Sequence, residues 1–209
     1  ALKDGAVLSA YDFNNKGNYL NFKTVVDRKI NRISAIRGGL ELNDAHDTNN
    51  FGKDHRDLLS SFFAETDLGF SNNLSAKLGV RAEHSSYLAQ TNLAPRISLG
   101  FRLSESLTGS LAYGIFYQNP ETKYLNSAAP ITFQKANHYV FQLQKSSEGR
   151  SLRMELFYKD YEKLIKTMGS SMVQTAINND GNGNAKGLEL FWRDRKTFSS
   201  IDYWVSYSY

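Results

Sequence analysis

Cysteine is absent from the 209 residues, which excludes a disulfide scaffold and any thiolate metal centre. Only 3 prolines occur, so nearly the whole chain can donate backbone hydrogen bonds to a ladder. No run approaches the ~18 consecutive apolar residues that a membrane-spanning helix requires. That excludes helical membrane proteins and nothing more, because strands that alternate apolar and polar residues escape averaged hydropathy. Mean hydropathy is −0.47. No block of one charge stands out either: 25 basic residues are interleaved with 21 acidic ones, and no Lys/Arg cluster points to a nucleic-acid partner. The opening residues Ala1-Leu2-Lys3-Asp4-Gly5 lack the apolar stretch of a secretory signal. The chain is therefore expected to start inside a mature protein, and it stops in mid-pattern at Tyr207-Ser208-Tyr209. G-x-S-x-G, a phosphate-binding loop and H-E-x-x-H are all missing, so no enzyme and no cofactor is expected.

What is present is a period of two. From Leu74 to Ala82 the even positions read Leu, Ala, Leu, Val, Ala, with Ser75, Lys77, Gly79 and Arg81 between them. Leu93, Pro95, Ile97, Leu99, Phe101 and Leu103 alternate with Ala94, Arg96, Ser98, Gly100 and Arg102. Leu107, Gly109, Leu111, Tyr113, Ile115 and Tyr117 alternate with Thr108, Ser110, Ala112, Gly114 and Phe116. The same pattern recurs around Leu152 to Tyr158, Leu188 to Trp192 and Ile201 to Tyr207. This is the signature of half-buried strands, and no segment competes with it at helical period. It predicts an all-β chain of about eleven strands. They lie near 5–13, 18–29, 32–42, 56–70, 74–85, 93–103, 107–118, 137–145, 151–160, 187–193 and 200–209. Many reach ten or more residues, beyond the ~5–6 typical of soluble sheets and close to the ~9–11 that a tilted membrane strand needs.

The connections carry an independent signal. Short turns fall at 30–31, 71–73, 104–106, 146–150 and 194–199; longer links fall at 43–55, 86–92, 119–136 and 161–186. After the first hairpin, short and long alternate. An antiparallel up-and-down meander through a membrane puts every second connection on the same side, and membrane barrels have short turns on one side and longer loops on the other. In such a barrel the polar faces line the lumen. The lumen-facing candidates are Lys77, Arg81, Glu83, Arg96, Arg102, Arg153, Glu155, Glu189 and Arg193, with Glu65 beside them. In a soluble β-sandwich the same charges would face water and Leu78, Leu99, Leu111 and Leu156 would converge on a dry core.

Several runs resemble the mid-barrel of TonB-dependent outer-membrane receptors. They are Asn92-Leu93-Ala94-Pro95-Arg96-Ile97-Ser98-Leu99, Ala112 to Glu121 with Tyr124-Leu125, and Ala136-Asn137-His138-Tyr139. Arg153 to Tyr161 and Asn184-Ala185-Lys186-Gly187-Leu188-Glu189-Leu190 complete the set. The resemblance runs from about Arg56 to Tyr209 and weakens before Gly38-Gly39-Leu40-Glu41. It implies an arc of a 22-stranded transmembrane β-barrel in the bacterial outer membrane, with lipid as its outer partner. It also implies an N-terminal plug domain, coupling to TonB through that plug, and uptake of a nutrient of siderophore, vitamin or glycan class. Neither a plug nor a TonB-contacting segment is visible in residues 1–209, so the chain is expected to be a partial barrel domain. Two other readings stand beside this one: a soluble or surface-displayed sandwich that binds glycans, and a passive porin.

Asn178, Asp180 and Asn182 with Gly183 and Glu189 come near the spacing of a calcium-binding EF-hand loop. Strand-like flanks and the missing first-position charge make a plain surface loop the expectation, with no metal. Asp44, His46 and Asp47 fall in one predicted loop and are expected to be solvated. Tyr113, Tyr117, Tyr158, Trp192, Tyr203 and Tyr207 are expected to form an interfacial girdle and, less readily, a sugar-stacking platform. Glu65 and Glu83 sit among Lys and Arg, as in a structural charge ladder, and His138 is expected on the lumen or rim.

Overall fold

The computed structural model describes residues 16–48, 54–121, 124, 130–170, 173–198 and 200–209. One sheet of ten strands accounts for nearly all of them. The first five are β1 (Lys16–Lys29), β2 (Ala35–Thr48), β3 (Asp54–Gly69), β4 (Leu74–Ser85) and β5 (Gln90–Arg102). The second five are β6 (Leu107–Gln118), β7 (Gln134–Ser147), β8 (Arg150–Ser170), β9 (Val173–Asp194) and β10 (Tyr203–Ser208). Spatial order equals chain order and every ladder is antiparallel, so the sheet is an up-and-down meander. The strand expected at 5–13 lies outside the described residues. The other ten are all present, and β4 and β6 have the ends that alternation predicts.

The differences concentrate at the end of the sheet where alternation predicts the longer links; there only the connection of residues 119–133 exceeds five residues, so the expected alternation of short and long is not kept. Asp44, His46 and Asp47 belong to β2, and the predicted link at 161–186 is mostly a hairpin, with β8 running 21 residues and β9 running 22. Chain length expected in loops is spent on strand extension. Asn, Asp and Gly read as turn formers, but a ladder that already runs alongside gives their backbone groups partners and overrides the local preference. Beyond Tyr161 the β8–β9 ladder is irregular, with register shifts around Leu164 and Met168 and a positive φ of 56° at Lys163.

The opposite end holds short turns built alike. In three of them the first N–H reaches back across the turn: Ile30 to Ser34 at 2.9 Å, Phe70 to Leu74 at 3.0 Å and Leu103 to Leu107 at 2.8 Å. Ser71 Oγ accepts from the N–H groups of Asn73 and Leu74, at 3.2 and 3.1 Å; Ser104 Oγ does the same for Ser106 and Leu107, at 3.3 and 3.1 Å. Such short side chains favour turns because they replace a backbone acceptor locally. Gly149 takes the one described glycine φ in the left-handed region, +73°, in the two-residue connection between β7 and β8. Ser71→Ala and Ser104→Ala are each expected to lower stability by about 1 kcal/mol, read as a lower urea midpoint of the folded barrel, with Ser110→Ala as an unaffected control.

Pairing residues share a face, so the registers sort the side chains into rows. One row runs Ile36, Thr66, Leu78, Ile97, Tyr113, Tyr139, Tyr158, Lys186 across β2 to β9. The next runs Leu68, Ala76, Leu99, Leu111, Phe141, Leu156, Leu188. Apart from Thr66 and Lys186 these two rows are apolar, and no second sheet covers this face among the described residues. Leu78, Leu99, Leu111 and Leu156 retain 40%, 40%, 49% and 43% of their accessible surface and converge on nothing. That overturns the sandwich, whose defining feature is a dry layer between two sheets. Proline is placed where the ladder tolerates it: β5 pairs with β6 only from Arg96 to Arg102, and Pro95, with no N–H to donate, is the first residue beyond.

Candidate functional site

The face opposite the apolar one carries the charges. Lys77, Arg81, Glu83, Arg96, Arg102, Arg153, Glu155, Glu189 and Arg193 all fall on it by register, as does Glu65. Its two halves differ. On β1 to β4 the charges are matched. Arg81 is central, donating from Nε to Glu83 at 2.6 Å, from Nη1 to Glu41 at 3.2 Å and from Nη2 to Ser61 Oγ at 2.9 Å. Lys23 approaches Glu41 at 3.5 Å, Lys77 meets Asp67 at 3.1 Å, and Arg37 Nε donates to Asp27 at 3.0 Å. Opposite charges facing each other across strands stabilise a sheet, here modestly, since most of these groups meet water.

On β5 to β8 the cations rest on aromatic rings instead. Arg96 lies 4.5 Å from the centroid of Phe116, Lys159 lies 5.0 Å from Phe157, and Arg153 lies 5.6 Å from Phe191. Among the described residues none of these three joins an ion pair. Glu155 and Glu189 face each other directly in the β8–β9 ladder. Phe191 also stacks on Trp204, with ring centroids 6.3 Å apart at 23°.

At the long-connection end the charged face closes over a small buried cluster. Asp57, 6% exposed, accepts from Ser85 Oγ at 2.8 Å, Ser86 Oγ at 3.3 Å, the N–H of Tyr87 at 3.1 Å and Asn119 Nδ2 at 2.8 Å. One carboxylate thus fixes the β4–β5 turn and the start of the β6–β7 link. The far end of that link is pinned by Asn179, whose side chain accepts from the N–H of Thr132 at 2.8 Å and donates to Thr132 O at 3.2 Å. Ile131, between the two anchors, and Phe133, just past Thr132, are buried, and Phe133 meets Tyr117 edge-on at 6.4 Å. His55 is buried against Tyr87, with ring centroids 4.1 Å apart. Sequence reasoning missed this cluster, because Asp57, Ser85 and Asn119 carry no motif: the β3–β4 pairing brings Ser85 near Asp57, and the β6–β7 link folds Asn119 back onto both.

The EF-hand-like spacing is not a wrapping loop. Asn178, Asp180, Asn182 and Glu189 lie along β9, so the plain surface loop expected there is strand as well. Eleven residues of extended chain put Asn178 about 36 Å from Glu189. Asn178 Oδ1 accepts from the N–H of Asp180 at 3.1 Å, and Glu189 faces Glu155. Asp44 is held by Arg56 through two parallel bonds of 3.0 and 2.6 Å, and His46 Nε2 pairs with Asp54. Of the predicted aromatics, all six lie on the apolar face by register. Tyr113, Tyr139 and Tyr158 form a row with centroids 5.0 and 6.1 Å apart. Below them a shallow groove of about 1040 Å³ crosses the apolar face between Leu99, Leu111, Leu156 and Leu188. At the short-turn end, past the last apolar side chain of β9, Asp194 accepts from Thr197 Oγ1, from the N–H groups of Lys196 and Thr197, and from Arg150. The Thr197 hydroxyl first, then the two N–H groups and Arg150, hold its carboxyl below the usual carboxylate range. The turn keeps this support through neutral and mildly acidic pH and loses it only as strong acid protonates the group.

Known proteins align with this geometry. The siderophore receptor PirA from Pseudomonas aeruginosa superposes over 93% of the chain with a TM-score of 0.80 at 12% identity, and the match spans 40% of PirA. The ferric enterobactin receptor PfeA from Pseudomonas aeruginosa, in complex with BCV-L6, gives 0.80 at 13% identity over 95% of the chain and 36% of PfeA. The FrpB iron transporter from Neisseria meningitidis (F3-3 variant) gives 0.69 at 12% identity over 94% of the chain and 35% of FrpB. At such identities these likenesses establish a fold, and the chain spans less than half the length of each structure. No curated protein matches the chain in sequence. The family model described as TonB dependent receptor-like, beta-barrel matches residues 4–209, and the chain belongs to that family.

Proposed function

We propose that the chain is part of the wall of a bacterial outer-membrane receptor that takes up a ferric siderophore with energy supplied through TonB. One observation carries this reading: a meander with an uncovered apolar band along one face and the charges of its strands along the other. Each strand then meets hydrocarbon on one side and a polar lumen on the other. The row of Tyr113, Tyr139 and Tyr158 supports an aromatic belt at the membrane interface, where a ring is buried and its hydroxyl stays wet. The groove beneath it is then filled by lipid chains. The nine charged residues from Lys77 to Arg193 line the lumen. The complete protein has a barrel of 22 strands and a plug domain that contacts TonB.

The siderophore class is favoured over vitamins and glycans because the structural relatives are described as siderophore receptors and an iron transporter. Binding and gated passage need no covalent step, which agrees with a family of receptors and not of enzymes. The test is accumulation of radioactive iron, offered as a ferric siderophore, by cells carrying the full-length parent. Accumulation above the parent-free background, abolished when TonB is deleted, is the expected result. Uptake indifferent to TonB rules the reading out.

A further inference from the structure

We propose that Arg96, Phe116 and His138 form a binding platform for a planar carboxylate on the charged face of β5 to β7. The three side chains are layered. Arg96 sits 4.5 Å from the centroid of the Phe116 ring, and that ring lies 4.4 Å from the His138 ring at 33°. Register explains why they meet. Arg96, Gly114, His138 and Lys159 occupy one row on four adjacent strands, and Gly114 leaves the space that Phe116 fills. A methyl at Gly114 would stand 3.0 Å from the edge of the Phe116 ring and 3.2 Å from Arg96 Cγ. The platform borders a hollow of about 320 Å³ whose lining includes Gly79, Gly114 and Lys77.

The chemistry of the layer points to an anion. A guanidinium held by the face of a ring keeps its in-plane N–H donors free, and two parallel donors are the natural partner of a carboxylate. The row from Arg96 to Lys159 contains no acid. Glu65, the one acid bordering the hollow, continues that row beyond Gly79 and faces Arg37, which bonds Asp27; Arg96 and Lys77 border the hollow with it, so cations outnumber the acid there. A flat ligand attached to the carboxylate extends the stack over the exposed guanidinium or the imidazole. This inference rests on the proposed function for one point only, that this face lines the lumen through which cargo passes.

The test uses benzoate as the probe and benzamide as its neutral counterpart, titrated by saturation-transfer NMR into the full-length parent in detergent. Benzoate is expected to bind at least about tenfold more tightly than benzamide. Arg96→Gln and Phe116→Leu are each expected to weaken benzoate about tenfold, Gly114→Ala to weaken it by displacing the ring, and Arg102→Gln to leave it unchanged. Arg96→Lys, which keeps the charge and loses the fork, is expected to recover only part of the loss. Equal binding of benzoate and benzamide overturns the proposal without recourse to any variant, as does unchanged benzoate affinity in a folded Arg96→Gln protein. Equilibrium binding needs no TonB, so TonB-independent uptake would sink the transport reading while leaving this result to be judged separately.

Discussion

Leu111→Arg is expected to lower the unfolding free energy of the parent barrel in phospholipid vesicles by about 2 kcal/mol, the cost of a cation facing hydrocarbon between the interface and the midplane. Leu111 is 49% exposed and sits between Leu99 and Phe141 in the row beneath the tyrosines. A side chain this open would tolerate arginine in water with a change of only about 0.5 kcal/mol, as surface sites generally do. The size of the effect therefore reports the solvent and not the packing. Ser110→Arg, one residue away on the opposite face, provides the contrast and is expected to stay near neutral. Urea titration of the refolded protein in vesicles measures both. Equal, small effects at the two positions would mean that the apolar face is wet and the lumen assignment wrong.

The second large effect is expected at Asp57→Ala. Removing the carboxylate takes the acceptor from the buried Ser85 hydroxyl, the half-buried Asn119 amide, and the Ser86 hydroxyl and Tyr87 N–H of the exposed turn. Leaving such donors unsatisfied costs about 1–3 kcal/mol each where water cannot enter, and partial wetting limits the total to roughly 3 kcal/mol. The loss is local. Hydrogen exchange at the Tyr87 N–H and protease cleavage within the β6–β7 link are expected to rise sharply, while the β7–β8 ladder keeps its protection. Asp57→Asn, which retains an acceptor, is expected to recover part of the protection. If the β6–β7 link stays as resistant as before, its anchoring lies in Phe133 and Ile131 instead.

The meander itself was legible because strict alternation writes both the strand and its two faces into the sequence. Leu74 to Ser85 and Leu107 to Gln118 could be bounded to the residue for that reason. Alternation gives way at the long-connection end, where both faces meet water and hydrophobic pattern no longer constrains the chain. There the run Asn178 to Asn184 looks like a turn, although its backbone is taken up by β8. The charged face was legible as a set of residues but not as a pattern of contacts. Phe116 could be placed among Thr108, Ser110 and Gly114, but its position between Arg96 and His138 depends on two registers that no single strand encodes. Asp57 was hidden more deeply. A lone Asp on a polar face reads as solvated, and its burial comes from a link that folds back from beyond β6.

Strictly sequential pairing has a consequence for biogenesis. Every ladder joins a strand to the one made just before it, and most of the described connections are only a few residues long. The entropy of closing each pair is small, so no strand waits for a distant partner to arrive. The sheet can grow by accretion, hairpin upon hairpin, each new edge templating the next segment. A lesion that weakens one turn then delays everything downstream of it and leaves what came earlier intact.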